Sequence, residues 1–415
     1  MNNTERVQHP RHAESLLLTA LSDTRIVALV GPRQSGKTTL ARKLARQRQM
    51  RFITLDDEQS RQFANDDPTG FLRNMDSAVI DEIQRAPDLI LGIKRLVDED
   101  TTPGRFLITG SVDLFKGMLA PDSLAGRVET ISLLPLSQSE LANQAPSAFI
   151  DRAFTRNFSD LTKIGYTHNL VNRVLTGGFP EASARPLATR RRAWFNAYAS
   201  SISERDVADI ANVEKSAEFS RLIEFSALAA GQLVNLSSLS SHVHADSKTV
   251  DRWLQLLEQL FMLTRLRAWH SNKLKRLAKS PKMHFIDSGL LAAIQNTSEA
   301  DIERDRTKFG SLLECFVYSE ILKSSALSEQ TISLSHFREN ENLEVDLVLE
   351  RGPANLVGIE IKASATVKPR DFKGLKRLQS VTGNSFQCGL VLHDGDRMQQ
   401  VDEKLFILPI SALWE

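Results

Sequence analysis

The sequence predicts an α/β chain: a parallel-sheet domain first, a largely helical middle, and a smaller α/β domain at the end. Three observations lead there. A glycine-rich loop, Gly31-Pro32-Arg33-Gln34-Ser35-Gly36-Lys37-Thr38, falls between an apolar run and a helix-like segment. Short apolar runs then alternate with helical patterns up to residue 135, as in a parallel sheet covered on both faces. In the last third, strand-like runs carry acids between period-two apolar residues. The divisions are expected at residues 1–135, 136–215, 216–300 and 301–415.

Composition narrows the class. Of 415 residues, 41% are hydrophobic and 25% charged, which suits globular domains with full cores. The formal net charge is +1, so no global field draws the chain to nucleic acid, and any such contact must come from local patches. Cys315 and Cys388 stand in unrelated contexts and indicate neither a disulfide framework nor a zinc site. No apolar run approaches the ~20 residues of a membrane span. The polar start Met1–Arg6 does not read as a signal peptide, so a cytoplasmic location without membrane contact is expected.

The first domain opens with an amphipathic helix over residues 13–24, followed by the strand Ile26–Val30. The loop after it matches G-x-x-x-x-G-K-[ST] in strand–loop–helix context, which implies nucleoside triphosphate binding. Gly31 and Gly36 let the backbone N–H groups turn inward, and the following helix adds its positive N-terminal end. Residues Gly31, Pro32, Arg33, Gln34, Ser35, Gly36, Lys37, Thr38 and Thr39 would surround the phosphates, Lys37 reaching the β- and γ-phosphates and Thr38 holding Mg²⁺. A second strand, Arg51–Leu55, ends in two aspartates. The third, Ser77–Ile80, runs into Asp81 and Glu82: Asp81 would position Mg²⁺ and Glu82 would polarise the attacking water. Pro87 opens a helix over 88–97, and the fourth strand, within 104–111, places Thr109 or Ser111 to sense the γ-phosphate. Arg127, after Gly126, would either contact that phosphate or pair with an acid at the surface. No N-K-x-D guanine signal occurs, which favours ATP.

With GPRQSGKTTL, AVIDEIQRAPDL, FLITGS and SLAGRV in this order, the chain resembles the bacterial and archaeal AAA-type ATPases that carry a C-terminal domain of unknown function. GGFPEA, SERDVADI, HFIDSGL and ILPISALWE extend the resemblance along nearly the whole chain. It implies an AAA-like P-loop NTPase core binding ATP and Mg²⁺, a helical and winged-helix middle, and a nuclease-like C-terminal fold.

Residues 136–212 read as helical, interrupted by the turn Gly177-Gly178-Phe179-Pro180. The aromatic stripe Trp194, Phe195, Tyr198 suits a core better than a base-stacking platform, and Arg205 suits an intrahelical ion pair better than a nucleotide contact. From about 216, three short helices and a hairpin follow. Ser247 is expected to cap the third, on which Val250, Leu254, Leu257 and Phe261 share a face. Strands within 263–269 and 282–286 would form the wing of a winged helix-turn-helix. Its loop carries Lys273, Lys275, Arg276, Lys279 and Lys282 with no intervening acid, a set that can meet phosphates. Lys248, Thr249 and Arg252 could enter a DNA groove, but Asp251 lies among them, and such modules also act as lids.

In the last third, Glu314 sits in an almost wholly apolar helix start, where a carboxylate is costly without a role. Strands are expected over 331–337, 343–349 and 355–363, then a helix over 371–381 and a strand over 388–392. Asp346 would face away from Leu343, Val345, Leu347 and Leu349, and Glu360 would share a face with Lys362. This order and these residues resemble the PD-(D/E)xK restriction-endonuclease-like fold, with Val345 where the motif has proline. The resemblance implies that Asp346 and Glu360 hold Mg²⁺, that Lys362 stabilises charge at phosphorus, and that Glu314 completes the pocket. The leading expectation is an ATP-hydrolysing protein that acts on nucleic acid, DNA before RNA, through this domain. The alternative is an ATP-dependent switch or regulatory scaffold whose nuclease-like domain is silent, and in either case a homo-oligomer or a partner protein is expected beside nucleic acid.

Overall fold

The structure is a computed structural model that describes residues 9–111, 124–158, 169–203, 216–272, 274, 276 and 279–415. The chain divides into two compact units, one of Met1–Leu136 with Gln259–Met262 and the other of Ser137–Glu258 with Leu263–Glu415.

In the first unit, five strands alternate with helices. The order is α1 (Ala13–Asp23), β1 (Ile26–Val30), α2 (Lys37–Gln47), β2 (Arg51–Thr54), α3 (Glu58–Asp66), α4 (Pro68–Leu72), β3 (Ala78–Asp81), α5 (Leu89–Glu99), β4 (Phe106–Gly110) and β5 (Val128–Ser132). The sheet order is β2-β3-β4-β1-β5, and every pairing is parallel. Central strands β1, β3 and β4 are buried along their whole length, which is why they read as continuous apolar runs. Leu17, Leu21, Leu40, Leu44, Val27 and Leu29 pack in one apolar layer, and Ile80, Ile83, Ile90, Ile93, Phe106 and Ile108 pack in another. Each such side chain contributes roughly 1.5–3 kcal/mol by leaving water. The parallel sheet leaves the carboxyl ends of β1, β3 and β4 at one edge, and there the glycine-rich loop emerges.

The second unit begins with short helices: α6 (Gln138–Leu141), α7 (Phe149–Thr155), α8 (Leu170–Thr176), α9 (Pro180–Ser183) and α10 (Ala188–Ser201). Ser137 and Glu140 form a capping box at the first. Trp194, Phe195 and Tyr198 gather around the buried Phe179, so the aromatic stripe is core, as its spacing suggested. The helices α11 (Ser216–Leu228), α12 (Leu236–Val243) and α13 (Ser247–Gln259) follow, then the antiparallel pair β6 (Leu263–Leu266) and β7 (Lys282–Phe285). Two details differ from expectation. Asp246, not Ser247, caps α13: its carboxylate accepts from Lys248 N and Thr249 N, both at 3.0 Å. Phe261 lies beyond the helix at φ +55°, so it does not continue the α13 face.

The helices α14 (Ser288–Ile294), α15 (Glu299–Arg304) and α16 (Phe309–Ser325) lead into β8 (Ile332–Asn340), β9 (Leu343–Arg351), β10 (Leu356–Lys362), α17 (Lys373–Thr382), β11 (Phe386–His393), β12 (Gln399–Gln400) and β13 (Leu405–Pro409). The sheet order is β12-β13-β11-β10-β9-β8. β8, β9 and β10 pair antiparallel, whereas β10 pairs with β11, and β11 with β13, in parallel. The parallel strand β13 was not expected; it continues the sheet beyond β11. Beyond β6, Ala268 bridges His336 of β8, and Trp269 N donates to His336 O. The hairpin segment and the C-terminal sheet therefore belong to one compact unit. Among the described residues, no helix is long and apolar enough to cross a membrane.

Candidate nucleotide site and a buried carboxylate cluster

The loop after β1 is wrapped tightly on itself. Gly36 stands at φ +99°, where a side chain would be strained, and a Cβ at Gly31 would collide with Leu133 O. Lys37 is 4% exposed, and its Nζ donates to Gly31 O at 2.9 Å and Pro32 O at 2.8 Å. Burial lowers its pKa to about 8, against the raising influence of Glu82 and Asp81. Ser35 Oγ is buried with no hydrogen-bond partner, and Pro32 is buried too. Arg33 is half-buried, while Gln34, at φ +60°, and Thr39 are exposed.

Asp81, at the tip of β3, collects three hydroxyls from three neighbouring elements. Thr38 Oγ1 donates at 3.0 Å, Thr54 Oγ1 at 3.1 Å and Thr109 Oγ1 at 2.6 Å. Thr109 Oγ1 also accepts from Glu82 N at 3.1 Å. Glu82 adopts a left-handed backbone at φ +59°. Its carboxylate accepts from Gln84 Nε2 and from Ser111 Oγ, the latter at 3.3 Å, and Gln84 also reaches Ser111 at 3.0 Å. Lys37, Thr38, Asp81, Glu82, Thr109 and Ser111 thus stand together at the carboxyl edge of the sheet. The donor set suits a Mg²⁺–nucleoside triphosphate: a hydroxyl and a carboxylate side by side, a buried ammonium on loop carbonyls, and an unpartnered serine hydroxyl within the loop.

Arg127 does not join them. It precedes β5 and its carbonyl accepts from Ile26 N, at the opposite edge of the parallel sheet from Gly31. Five residues of strand separate the two edges by about 16 Å. There it makes an ion pair with Asp98, with Nε at 2.5 Å. Of the two roles open to it, Arg127 takes the surface ion pair within this chain and does not reach the chain's own phosphate loop.

Three residues not singled out by motif reading complete the site: Arg11, Thr54 and Gln84. Arg11 Nη1 donates to Ser35 O at 2.5 Å and Nη2 to Leu134 O at 2.6 Å, holding the loop from outside. No local pattern marks it, since it lies before the first helix. Replacing Arg11 with alanine is expected to weaken nucleotide binding roughly tenfold, because a loop that must order on binding loses affinity; a fluorescent-nucleotide titration checks it.

The second unit also gathers Glu314, Asp346, Glu360 and Lys362. Glu314 comes from α16, Asp346 from β9, and Glu360 and Lys362 from β10. Lys362 Nζ lies 2.6 Å from Glu360 Oε1, and Asp346 Oδ2 accepts from Ile361 N at 2.9 Å. At their centre is Lys282 of β7, 2% exposed, with Nζ 3.0 Å from Glu314 Oε1 and 3.3 Å from Asp346 Oδ1, and paired with Glu344 as well. Burial raises the Glu314 pKa to about 8, with the Asp346 charge adding to it. Glu360 is held well above its usual range, first by burial and then by Asp346. Among the described residues, no group of three or more His, Cys, Asp and Glu side chains is arranged to hold a metal ion. A Mg²⁺ ion held by Asp346 and Glu360 would have to compete with the Lys282 ammonium that stands against Asp346.

Lys282 is also a correction to the basic loop. It points into the carboxylates, Arg276 pairs with Glu350 at 2.7 Å, and Lys279 Nζ donates to Arg338 O. On α13, Asp251 pairs with Arg265. Ser123, Lys273, Lys275 and the segment 204–215 with Arg205 lie outside the described residues.

His336, beside this cluster, is 1% exposed, and burial lowers its pKa to about 4, with Lys282, Arg338 and Lys279 adding repulsion. A depressed histidine contributes stability that is present above pH 6.5 and lost as pH falls from 6.5 towards 4, on the order of 3 kcal/mol. Glu314 acts in the opposite sense: its contribution is full below pH 4.5 and is lost as pH rises through about 8. Urea midpoints at pH 7 and pH 4.5 should therefore fall further on acidification in the wild type than in His336→Asn.

Residues 23–142 match the family described as AAA domain. Residues 167–301 and 309–413 match two families described as domains of unknown function, DUF8612 and DUF4143. The chain is 29% identical over 358 residues to the uncharacterized proteins Rv2008c of Mycobacterium tuberculosis and Mb2031c of Mycobacterium bovis, spanning 86% of this chain and 74% of each relative. Similar solved structures include the Walker-type ATPase PABY2304 of Pyrococcus abyssi, at 13% identity and TM-score 0.44, over 70% of this chain and 97% of that one. A RuvB variant of Thermotoga maritima aligns at 19% identity and TM-score 0.29, over 61% and 88% of the two chains. Within the N-terminal unit, residues 23–142 are thus similar to AAA domains and carry the glycine-rich phosphate-loop motif.

Proposed function

We propose that the chain binds ATP with Mg²⁺ and hydrolyses it between the Gly31–Thr38 loop and Asp81–Glu82. The observation that carries this reading is Asp81, which receives the Thr38, Thr54 and Thr109 hydroxyls while Glu82 is held beside it. Loop amides and Lys37 would orient the phosphates, the ammonium exchanging its two carbonyl partners for phosphate oxygens. Thr38 and Asp81 would hold Mg²⁺, which supplies charge neutralisation on the phosphates when bound. Glu82, oriented by Gln84 and Ser111, would take the proton from water. Phosphate release from ATP is expected to require Mg²⁺ and to fall at least ~100-fold in Asp81→Asn. Hydrolysis untouched by that substitution, or faster with GTP than ATP, would remove the reading.

For the second unit we infer a docking or regulatory role in preference to cleavage of nucleic acid. The order helix, helix, helix, hairpin over 216–285 supports a winged-helix reading. The arrangement of Asp346, Glu360 and Lys362 around β9 and β10 supports a restriction-endonuclease-like one. What favours silence is the pairing of Lys282 and Arg276 with acids of their own unit, which takes two basic residues away from phosphate. Single- and double-stranded DNA and RNA incubated with the protein, ATP and Mg²⁺ or Mn²⁺ are expected to remain intact. Cleavage abolished by Lys362→Ala would restore the nuclease reading.

A further inference from the structure

The carboxylates of the second unit are arranged around a cation that the chain itself supplies. Lys282 enters from β7, and its backbone is fixed on both sides: it pairs with Leu266 of β6 and bridges Leu233. Flanking it, Val234 N donates to Pro281 O, Met283 N to Gln232 O and Gly231 N to Met283 O. The backbone that carries the Lys282 side chain is therefore held in place on both sides.

Its ammonium lies within hydrogen-bonding reach of Glu314, Asp346 and Glu344, so its three N–H donors meet three carboxylates. Asp346 has both oxygens used, one by Lys282 and the other by Ile361 N. Arg338 approaches Glu344 at 3.6 Å, and Lys362 holds Glu360. His284, two residues along β7, is fully buried and lies 3.7 Å from Glu314, stacked on Tyr318. A divalent ion binds carboxylate oxygens at ~2.0–2.6 Å. To bridge Asp346 and Glu360 it would have to displace the ammonium from Asp346 or sit against a like charge in a water-poor site.

We propose that Lys282 occupies the cation position of this cluster in place of a divalent ion, so that the cluster ties the hairpin to the C-terminal sheet and takes up no metal. This rests on the reading of the second unit as silent, and it goes further by naming the residue that makes it so. One buried oxygen, Glu360 Oε2, has no partner. It would be the first ligand offered to a metal if Lys282 were absent.

The test is a Mn²⁺ titration of the full chain without nucleotide, followed by electron paramagnetic resonance, on wild type, Asp346→Asn, Lys282→Met and the Lys282→Met/Asp346→Asn pair. Wild type and Asp346→Asn are expected to give the same isotherm. Lys282→Met should bind one Mn²⁺ ion at least ~10-fold more tightly than wild type does, and the double variant should lose that gain. An ion bound by wild type and lost in Asp346→Asn overturns the proposal, whether or not Lys282→Met folds. If Lys282→Met is unfolded, Lys282→Arg, which keeps the charge, should fold by circular dichroism and bind no additional ion; a metal site in Lys282→Arg counts against the assignment. The two readings fail separately. Nucleic-acid cleavage without Asp346-dependent Mn²⁺ removes the silent reading and leaves Lys282 in place, whereas Asp346-dependent Mn²⁺ without cleavage does the reverse.

Discussion

Lys37→Ala is expected to abolish nucleotide binding, while Glu82→Gln keeps binding and stops turnover. The Lys37 ammonium is buried, and among the described residues it donates to two loop carbonyls, Gly31 O and Pro32 O. Burial that lowers its pKa to about 8 means that its charge is weakly compensated and gains most from phosphate. Removing one partner of a buried charge pair costs roughly 2–5 kcal/mol, a loss of ~30-fold to several thousandfold in affinity. Among the described residues, the Glu82 carboxylate hydrogen-bonds Gln84 and Ser111 and no loop residue, so its amide analogue should keep binding. Loss of a positioned base typically lowers turnover ~10²–10⁴-fold. Equilibrium binding of a fluorescent ATP analogue, measured beside phosphate release, separates the two variants. Normal turnover by Glu82→Gln would show that another group activates the water.

Gly177→Ala should strongly destabilise the second unit. Gly177 ends α8 at φ +66° and ψ −165°, a region open essentially to glycine alone. A Cβ there would overlap the Asp287 carboxylate. Asp287 is fully buried, and burial raises its pKa. It accepts from Gly178 N at 2.7 Å and caps α14 through Leu290 N at 2.9 Å. The added methyl therefore strains the backbone and pushes away a buried acceptor, and together these cost about 3–5 kcal/mol. Gly126→Ala is the control, because Gly126 has φ +73° but an added Cβ would meet nothing within 4 Å among the described residues. That change should cost only ~1–2 kcal/mol. Urea denaturation of the two variants compares them, and equal losses would mean that the Asp287 contact carries no energy.

The same pair shows why the motifs GGFPEA and HFIDSGL occur in one chain. Each alone reads as a turn and a helix start. Together they form a single joint, in which the glycines of one make room for the aspartate of the other. Nothing in either motif states its partner, since more than a hundred residues separate them.

The nucleotide site was legible because its chemistry is local: loop, lysine and hydroxyl are consecutive, and Asp81-Glu82 ends an apolar strand. Local reading placed the strands, the parallel sheet and this edge of it. It could not place Arg127, because which end of a parallel strand a residue occupies follows from sheet register. Nor could it find Arg11 or Thr54, whose contacts are made only when separate elements close on the loop and on Asp81.

In the last third, residue types and alternation determined that Asp346, Glu360, Lys362 and Glu314 would share one region. Tertiary structure alone decided what balances them. Lys282 sits in a run of basic residues that looks like a phosphate-binding loop, yet strand alternation turns it inward, and the hairpin lays it against three acids. A buried carboxylate must find a cation, and the sequence records only that acids and bases exist, not which of them meet.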